Sequence, residues 1–376
     1  MKADNLIKVL WDDCLVGTLA MTQDQRVAFQ YSEEWLEKEV SISPFSLPVN
    51  GRVFVPKRTY FNGLFGIFAD SLPDAWGRLL LDRLLRQKGK NPENYTVLER
   101  LAIVGHSGMG KLAYEPYIDI AQEHSMDDLD ELAEQCQKIL NTEYSDKLDE
   151  LYSLGGTSGG ARPKIMTKYR GEEWIIKFPA HVDGKNVGRM EYEYSVCARK
   201  CGITMSETKL FSSERCDGYF GIKRFDREDH QGKVKRIHTA TVAALLELDF
   251  EQPSLDYHSL MKLTRLLTAD NPIEREQMFR RMCFNVFAHN RDDHSKNFSY
   301  LYNEENDCWR LSPAYDLTYS NTYFGEHTTT VDGNGKDPGI RELVRVGVQA
   351  GMNKDICEEI SREIQRNVGE MLEEYV

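Results

Sequence analysis

The sequence lacks the features that mark membrane proteins, secreted proteins and zinc proteins. Its 376 residues contain no run of about 18 consecutive apolar residues, the length that a membrane-spanning helix needs. The first residues, MKADNLIKVLWDD, show neither the cationic segment nor the apolar run of a signal peptide, so we expect a cytoplasmic protein. The eight cysteines form no CxxC pair and no compact Cys/His cluster, so we expect reduced and mostly buried thiols.

An excess of positive charge is also missing. The formal net charge is -13, because 60 acidic residues outnumber 47 basic ones. Clustered Lys and Arg side chains are what neutralise the phosphates of DNA. We therefore expect that any contact with DNA is limited or made through a partner protein.

The N-terminal part predicts a small sheet followed by a helix. Short apolar stretches over Ile7–Trp11, Leu15–Met21 and Val27–Tyr31 are separated by polar turns, which is typical of a β-meander. A helix is expected over Ala75–Lys88, with Ser71 as its N-terminal cap and Gly89 at its end.

Periodicity and turn residues predict the remaining elements. Further helices are expected over Met126–Leu140 after a cap at Ser125, over Glu191–Lys200 and over Glu274–His289; further strands over Ile165–Tyr169, Trp174–Phe178 and Phe220–Phe225; and a hairpin over Phe298–Tyr302 and Cys308–Leu311. Between them, the chain turns polar around Tyr144–Tyr152, which favours a domain boundary there.

This order of elements predicts an α+β protein with a two-lobed, kinase-like fold. We expect a mixed α/β domain over residues 1–150, a β-rich small lobe with a glycine-rich loop over residues 151–226, and a helical large lobe over residues 227–376. The length of the chain suits two or three domains of this size.

A polar octapeptide follows the last long predicted helix. This catalytic loop, NRDDHSKN over Asn290–Asn297, separates Asp292 from Asn297 by five positions. In kinases the first Asp of such a loop orients the substrate hydroxyl and the Asn binds a metal ion. Asp316 follows the predicted hairpin and can return beside Asn297, where the two would hold Mg²⁺. The alternative is a polar surface loop whose Asp and Asn side chains only cap turns.

A second segment is rich in glycine. This glycine loop, GGTSGGARPK over Gly155–Lys164, has four glycines in its first six positions. Glycine lets backbone N–H groups approach phosphate oxygens closely, although a plain hairpin loop is an equal alternative. Thr157 and Ser158 place hydroxyls inside the loop, where self-phosphorylation would disrupt ATP binding.

Lys177 lies in the apolar strand sequence WIIKF. A buried ammonium group needs a partner, which ATP phosphates and a carboxylate on the next helix would supply. Glu191 and Glu193 are the candidates. The alternative is an edge-strand Lys whose side chain points to water.

These segments together resemble the HipA-like kinases, the toxins of bacterial toxin–antitoxin systems, and the resemblance covers nearly the whole chain. It rests on Phe68–Gly77 (FADSLPDAWG), Gly159–Lys164 (GGARPK), Lys177–Pro179 (KFP), Arg224–Asp226 (RFD), Asp292–Ser299 (DDHSKNFS) and Pro313–Leu317 (PAYDL). In the family these correspond to an N-terminal signature, the phosphate loop, the ATP-lysine strand, the lobe-connecting segment, the catalytic motif and the metal motif. The resemblance implies a serine/threonine protein kinase that uses ATP and Mg²⁺, with ATP between the two lobes.

The resemblance also implies roles in catalysis for single residues. Asp292 would be the catalytic residue, with Asn297 and Asp316 as Mg²⁺ ligands. His294 would position the catalytic loop, and Lys296 would stabilise the transferred phosphate.

The residues implied to bind ATP are Gly159, Gly160, Lys164, Lys177, Glu191 and, where the backbone would meet adenine, Arg224, Phe225 and Asp226. Glu193 fits the helix position less well than Glu191. The family's autophosphorylated loop serine corresponds to a position near Thr157, and Ser158 lies beside it. The modified residue is therefore open between the two.

The implied biology is that of a growth-inhibiting kinase neutralised by a small DNA-binding antitoxin, which would provide the contact with DNA. Family precedent for the substrate is a protein of the translation machinery, such as an aminoacyl-tRNA synthetase. The alternatives are a small-molecule kinase, because the same metal and Asp arrangement serves that chemistry, and a non-catalytic, pseudokinase-like binding module. The sequence encodes neither the identity of the substrate nor the oligomeric state.

One further segment, GHSGMGKL over Gly105–Leu112, nearly spells the P-loop motif of NTPases. Leu112 occupies the place of the Ser or Thr that binds magnesium, and the residues after it do not predict the helix that a P-loop needs. We therefore expect a glycine turn of the N-terminal domain.

Overall fold

The computed structural model describes residues 6–120, 128–157, 159–180, 183–230, 233–322 and 324–376. The strands are β1 (Leu6–Trp11), β2 (Cys14–Met21), β3 (Val27–Tyr31), β4 (Leu112–Glu115), β5 (Lys164–Tyr169), β6 (Glu172–Lys177), β7 (Thr208–Phe211), β8 (Tyr219–Lys223), β9 (Arg227–His230), β10 (Lys233–Arg236), β11 (Thr239–Thr241), β12 (Leu255–Asp256), β13 (Ser299–Asn303), β14 (Cys308–Leu311) and β15 (Thr329–Thr330). The helices are α1 (Glu33–Leu36), α2 (Gly66–Ala69), α3 (Ala75–Gln87), α4 (Val97–Val104), α5 (Leu129–Leu140), α6 (Leu148–Gly155), α7 (Val187–Lys200), α8 (Val242–Leu246), α9 (Tyr257–Leu267), α10 (Pro272–Phe287), α11 (Ile340–Gln349) and α12 (Lys354–Met371). None of these helices is both long and apolar enough to cross a bilayer, as far as the described residues go.

The chain divides into two compact units. Unit 1 comprises Met1–Asn186 and Phe211–Leu248, and unit 2 comprises Val187–Leu210 and Asp249–Val376. This division does not follow sequence order, because the chain passes between the two units three times. The three predicted domains, with boundaries at residues 150 and 226, stay predictions.

The N-terminal sheet of unit 1 has the strand order β3-β2-β1-β4 and is antiparallel throughout. In β3, Val27, Phe29 and Tyr31 are buried whereas Gln30 between them is exposed, which is the alternation of a strand with one face on a core. The predicted β-meander is confirmed. Strand β4 was not predicted, because its four residues are too short a pattern to read.

Helix α3 is confirmed within one residue of the predicted range, but its predicted cap is wrong. Asp74 is the N-cap residue and makes no side-chain cap hydrogen bond. The Ser71 hydroxyl is buried and accepts a hydrogen bond from Tyr114 Oη at 2.7 Å, so it serves the sheet instead of the helix. At the other end, Gly89 takes a φ of +71°, the left-handed conformation that commonly terminates helices.

The second core of unit 1 joins α3, α5 and α6 to strands β5 and β6. Its buried side chains include Leu84, Cys136, Leu151, Ile165 and Trp174. Fully burying one large apolar side chain of this kind contributes about 1.5–3 kcal/mol. This core therefore fixes the position of the glycine loop, which runs from the end of α6 to the start of β5.

Helices α5 and α6 differ from expectation at their starts. The Asp128 carboxylate caps α5 by accepting hydrogen bonds from the backbone of Asp130 and Glu131. The predicted cap Ser125 and first helical residue Met126 lie outside the described residues. Helix α6 begins inside the polar stretch that predicted a boundary, because Leu148, Leu151 and Leu154, at positions i, i+3 and i+6, are buried in the core.

Strands β5, β6 and β8 confirm the three predicted strands and are consecutive antiparallel neighbours in their sheet. Arg170 and Gly171 connect β5 to β6 with positive φ at both positions, +53° and +84°. Two consecutive positive φ values are the mark of a tight hairpin turn that matches the twist of the strands. The register places Lys164 directly opposite Lys177.

Unit 2 is mainly helical. Helices α9, α11 and α12 pack around α10, whose residues Phe279, Met282 and Phe284 are fully buried. The side chain of Asn271 caps α10 and Pro272 occupies its first turn, so the helix begins two residues before the predicted start. The predicted hairpin is confirmed as β13 and β14, with Tyr300 opposite Leu311.

Candidate active site

The glycine loop is attached to the first turn of α3. The backbone N–H of Gly160 donates to Asp74 Oδ2 at 2.8 Å, and the Gly160 carbonyl accepts from the backbone N–H of Trp76 at 3.3 Å. Gly160 has a φ of +84°, which residues with a side chain rarely adopt. A Cβ at Gly77 would lie 2.5 Å from the carbonyl oxygen of Gly156. The N-terminal signature DAWG thus carries the groups that hold this loop.

Lys164 ends the loop and begins β5. Its side chain is buried, and its ammonium group donates to the carbonyl of Gly159 within the loop. Its own carbonyl accepts from Trp76 Nε1 at 3.1 Å. A cation therefore lies inside the loop, where it would favour a phosphate oxygen.

Thr157 is buried, and its hydroxyl donates to the backbone carbonyl of Ser107 at 3.1 Å. In this conformation the hydroxyl points into the protein instead of toward solvent. The other candidate for self-phosphorylation, Ser158, lies outside the described residues.

Lys177 is the last residue of β6, and its ammonium group lies 5.6 Å from the ring centre of Phe220. The two candidate carboxylates belong to α7 of unit 2, where their surroundings differ. Glu191 is buried. Glu193 is half-exposed, pairs with Arg189 and accepts from Tyr375 Oη. The expectation that Glu191 is the better of the two candidates stays a prediction.

The segment Arg224–Asp226 follows β8 and is held by its own side chains. The Arg224 guanidinium donates twice to the Asp226 carboxylate, at 2.9 and 2.8 Å, and Arg227 adds a third hydrogen bond at 2.7 Å. Burial alone would raise the pKa of Asp226, but the two arginines hold it well below its usual range. These side chains stabilise the segment, and its backbone is bonded as well, because the Arg224 N–H donates to the carbonyl of Glu173 at 2.9 Å and the Asp226 carbonyl accepts from the backbone N–H of Ile237 at 3.0 Å. The expected contact of this segment with adenine stays a prediction.

The glycine turn Gly105–Leu112 continues directly into β4, so the structure confirms that it is not followed by a helix. The backbone N–H of Gly110 donates to Asp226 at 2.8 Å, and Arg227 and Arg236 donate to the carbonyls of Gly108 and Gly110. The turn is therefore a structural element of unit 1. Sequence reasoning missed these two arginines, because nothing in their local pattern indicates which carbonyls they reach.

The catalytic loop follows α10 in unit 2. The Asp292 carboxylate is exposed and has no hydrogen-bond partner among the described residues. Asn297 donates from Nδ2 to the carbonyl of Asp292 at 2.7 Å, and this bond fixes the orientation of the amide. The Oδ1 atom of Asn297 makes no hydrogen bond within the described part of the chain, so it can serve as a hard oxygen ligand.

His294 and Lys296 shape the same loop. His294 caps the short 3₁₀ turn at residues 295–297, where its Nδ1 accepts from the backbone N–H of Lys296 at 3.2 Å. The Lys296 ammonium group lies 4.6 Å from the ring centre of Phe250, and the His294 ring lies 5.6 Å from the same ring. Phe250 was not predicted, and its contacts hold both side chains of the motif.

Asp316 is half-buried and adopts a φ of +53°, an uncommon conformation for Asp that costs of order 1–3 kcal/mol and concentrates at functional sites. Its neighbour Tyr315 donates from Oη to the carbonyl of Lys296 at 2.7 Å. The structure thus brings the segment of Asp316 next to the catalytic loop. The two bonded residues, Tyr315 and Lys296, are the sequence neighbours of Asp316 and Asn297.

A magnesium site at this position would need more than carboxylates. Among the described residues, no three His, Cys, Asp or Glu side chains converge where a metal ion could be held. The donors that fit Mg²⁺ are the Asn297 amide oxygen and the Asp316 carboxylate, which would be completed by phosphate oxygens and water.

Asp293, which sequence reasoning did not single out, is completely buried. Its carboxylate accepts hydrogen bonds from Tyr257 Oη at 2.8 Å, His327 Nδ1 at 3.1 Å and the backbone N–H of Thr329 at 3.0 Å. Burial raises the pKa of Tyr257 well above its usual value, and the Asp293 charge adds to this effect. The only signal in the sequence is the doublet of adjacent acids in the catalytic loop.

Two curated relatives align with most of this chain. They are the candidate kinases Y4dM and Y4mE of Sinorhizobium fredii. Y4dM is 24% identical, over 90% of this chain and 81% of the relative. Y4mE is 25% identical, over 85% of this chain and 78% of the relative. Among solved structures, a chain in the complex of HipA, HipB and operator DNA from the Shewanella oneidensis MR-1 toxin–antitoxin system superposes with a TM-score of 0.72 at 17% identity, over 98% of this chain and 90% of that one. This superposition confirms the predicted α+β, kinase-like fold.

Two family profiles match the sequence. The HipA N-terminal domain matches residues 7–115, and the HipA-like C-terminal domain matches residues 156–372, which is more than half of the chain. The resemblance stated from the motifs is therefore confirmed, and the chain belongs to the HipA family.

Proposed function

We propose that this chain is an ATP- and Mg²⁺-dependent protein kinase that phosphorylates serine or threonine. The observation that carries the proposal is the geometry of the catalytic loop. It combines an exposed Asp292 carboxylate, an Asn297 amide oriented by its bond to the Asp292 carbonyl, and the Tyr315 bond that holds the Asp316 segment beside the loop. These are the groups that phosphoryl transfer requires.

In the proposed reaction, Asp292 orients the substrate hydroxyl and accepts its proton. The hydroxyl oxygen forms a bond to the γ-phosphorus, the bond from that phosphorus to the bridging β–γ oxygen breaks, and ADP leaves. Mg²⁺ held by Asn297 and Asp316 would neutralise charge on the phosphates. Lys296, whose ammonium group lies against Phe250, would stabilise the transferred phosphate.

ATP binding is proposed to use the glycine loop and two lysines of unit 1, and Glu191 is proposed as a further nucleotide-binding residue. The amides of Gly159 and Gly160 and the ammonium groups of Lys164 and Lys177 would bind phosphate oxygens. Because Gly160 N–H donates to Asp74 in this conformation, a phosphate oxygen would replace that carboxylate as its acceptor.

Thr157 or Ser158 is proposed as a site of self-phosphorylation. The buried hydroxyl of Thr157 donates to Ser107, so its modification would require the glycine loop to leave its present position. A phosphate on Thr157 and the ordered loop are therefore mutually exclusive in this proposal.

The proposed biological role is a growth-inhibiting toxin that a small DNA-binding antitoxin neutralises. The solved relative from Shewanella oneidensis is a complex with HipB and operator DNA, and the net charge of -13 favours contact with DNA through such a partner. A protein of the translation machinery is the proposed class of substrate, on family precedent.

The test is the transfer of label from γ-labelled ATP with Mg²⁺, for purified wild type and Asp316→Ala, each alone and in a bacterial lysate. Label on the chain or on a lysate protein that is lost in the variant supports a protein kinase and identifies the substrate band. Label in a metabolite fraction only would indicate a small-molecule kinase. No label, with no increase in thermal stability on adding Mg-ATP, would indicate a binding module.

If the wild type transfers no label, one further measurement is needed, because prior phosphorylation of the glycine loop would also block transfer. Intact mass distinguishes the cases: an added phosphate on the purified chain, removed by a phosphatase with recovery of labelling, supports the proposal. An unmodified chain that neither binds nor transfers phosphate contradicts it.

A further inference from the structure

Asp293, the buried neighbour of Asp292, is held by hydrogen bonds from three other residues. Asp292 is exposed, whereas Asp293 is completely buried and its carboxylate accepts from Tyr257, His327 and the backbone of Thr329. Consecutive Cα atoms are about 3.8 Å apart, so the position of one residue constrains the other closely. Whatever holds Asp293 therefore also holds Asp292.

The bonds to Asp293 continue into the helices of unit 2 as a directed series. Asn290 Nδ2 donates to Asn285 Oδ1 at 2.9 Å, Asn285 Nδ2 donates to Tyr257 Oη at 2.9 Å, and Tyr257 Oη donates to Asp293 Oδ2. All four side chains are buried, with exposed fractions of 2% or less. The Tyr257 hydroxyl accepts one hydrogen bond and donates another, which fixes its orientation. The series therefore holds the catalytic loop at Asn290, its first residue, and at Asp293.

The other side of the catalytic loop is bonded to the segment that follows Asp316. The carbonyl of Arg291 accepts from both the backbone N–H and the hydroxyl of Thr328, at 2.9 and 3.0 Å. The Thr329 hydroxyl donates to the carbonyl of Asp293. The loop is thus held between α9, α10 and the strand of Thr329, and the Asp293 carboxylate is the group that contacts both sides.

We infer that Asp293 is a positioning residue of the proposed kinase. Its carboxylate, bonded to Tyr257, His327 and Thr329, fixes the exposed Asp292 in the position from which it orients the substrate hydroxyl. The inference rests on the proposed function. It concerns residues that touch neither ATP nor substrate, and it predicts that their loss affects turnover more than nucleotide binding.

The conservative variant is Asp293→Asn. An amide offers one acceptor oxygen where three donors now converge, so at least one donor is left without a partner and the loop must shift. A misplacement of about 1 Å in a catalytic group costs about 100-fold in rate, so we expect kcat to fall about 30- to 100-fold. The KM for ATP should change less than about threefold, because ground-state binding is untouched.

A second variant, Tyr257→Phe, removes one donor without changing the volume of the core. We expect kcat to fall about five- to tenfold, since the carboxylate keeps His327 and Thr329. The two substitutions act on the same bond, so the double variant should be no slower than Asp293→Asn alone within about twofold. Independent effects, which multiply, would contradict the inference.

Thr264→Val is the matched control for lost stability. The Thr264 hydroxyl is buried in the same unit, where it bonds to Tyr300 Oη at 2.7 Å and to the Leu260 carbonyl, neither of which belongs to the catalytic loop. It loses a buried hydrogen bond, as Tyr257→Phe does, so the two variants should lose similar stability. If Tyr257 contributes only to stability, kcat should fall by the same factor in Tyr257→Phe and in Thr264→Val.

The experiment measures steady-state kinetics below the unfolding transition, together with hydrogen exchange of residues 289–297 by mass spectrometry, for wild type and these variants. Faster exchange at the loop in Asp293→Asn and Tyr257→Phe but not in Thr264→Val, with the kcat losses above, supports the inference. Unchanged exchange at the loop, or equal kcat losses in the control, overturns it. If the wild type transfers no phosphate, the proposed function fails, and the exchange data alone still decide whether Asp293 holds the loop.

Discussion

The glycine loop and the catalytic loop are both held by a carboxylate that accepts a backbone N–H, but in contrasting surroundings. Asp74, which holds Gly160 at 2.8 Å, comes from another element and is half-exposed. Asp293, which holds Thr329 at 3.0 Å, belongs to the catalytic loop itself and is completely buried. A bond of the first kind can be exchanged for one to a ligand, whereas breaking the second leaves buried groups unpaired.

This contrast fits the two tasks. A phosphate-binding loop has to release its internal acceptor when a phosphate oxygen arrives, and a half-exposed carboxylate can return to water at little cost. A catalytic loop has to keep one geometry through every turnover. We therefore expect substitutions in the glycine loop to change nucleotide affinity and substitutions in the catalytic loop to change turnover.

The largest effect is expected for Asp292→Asn. Removing the group that orients the hydroxyl and accepts its proton should lower kcat about 1,000-fold. ATP should still raise the melting temperature as it does in wild type, because Asp292 is assigned no contact with ATP. The control is Asp355→Asn, an exposed Asp of the same unit. Full activity of Asp292→Asn would overturn the assignment of the catalytic residue.

A third carboxylate extends the comparison to stability. Glu247 accepts from the backbone N–H of Gly66 at 3.1 and 3.2 Å, and burial raises its pKa to about 7 from the usual 4.5. The folded state thus holds this proton more tightly, so the stabilisation is complete below pH 4.5 and is lost as pH rises through 7. At about 1.4 kcal/mol per pH unit, the loss is of order 3 kcal/mol.

The measurement is urea unfolding of wild type, Glu247→Gln and the exposed control Glu37→Gln between pH 5 and pH 8. Glu247→Gln should lose much of this pH dependence and be the more stable protein at pH 8. A wild type whose free energy of unfolding does not fall over that range would show that the Glu247 carboxyl is adequately solvated.

The sequence predicted the parts of the fold that have a local period or turn signal. The meander of β1 to β3, helix α3, helix α10 and the hairpin of β13 and β14 all carry such signals, and all are confirmed. Helix α6 escaped prediction because eight residues in a polar stretch give too short a pattern. The wrong cap at Ser71 has a different cause, since its hydroxyl is taken by Tyr114, a residue of strand β4 far along the chain.

The candidate site was predictable only as far as its motifs are contiguous. Asp292 and Asp293 are adjacent residues of the same type, and the local sequence does not indicate which of them is exposed. The difference comes from Tyr257 and His327, which lie 36 residues before and 34 residues after Asp293. The same applies to Asp226, whose partner Gly110 is 116 residues away. Hydrogen bonds over such separations are set by the fold.

A smaller effect is expected for Gly160→Ala in the glycine loop. Its φ of +84° is strained for any residue with a side chain, by roughly 1–2 kcal/mol, and a Cβ would lie 2.5 Å from the Lys164 ammonium nitrogen. We expect the Kd for ATP to rise about tenfold. At saturating ATP, kcat should stay within about threefold of wild type.

Gly171→Ala is the matched control, because Gly171 has the same φ of +84° but open space around its Cβ position in the β5–β6 turn. Equal losses of affinity in the two alanine variants would mean that backbone strain acts through global stability. A kcat loss in Gly160→Ala that exceeds the loss of affinity would break the proposed division between the two loops.

The smallest effect, and the one that most directly tests exchange of acceptors, is expected for Asp74→Asn. The Asp74 carboxylate occupies the N–H of Gly160 and adds negative charge where phosphates would bind. Neutralising it should lower the Kd for ATP about two- to fivefold, an effect that weakens with salt because the group is half-exposed. Asp82→Asn is the control on the same helix, where Asp82 pairs with Arg100 at 3.0 Å. A higher Kd in Asp74→Asn would instead mean that Asp74 holds the glycine loop in its binding geometry, and the two loops would then be fixed by the same principle.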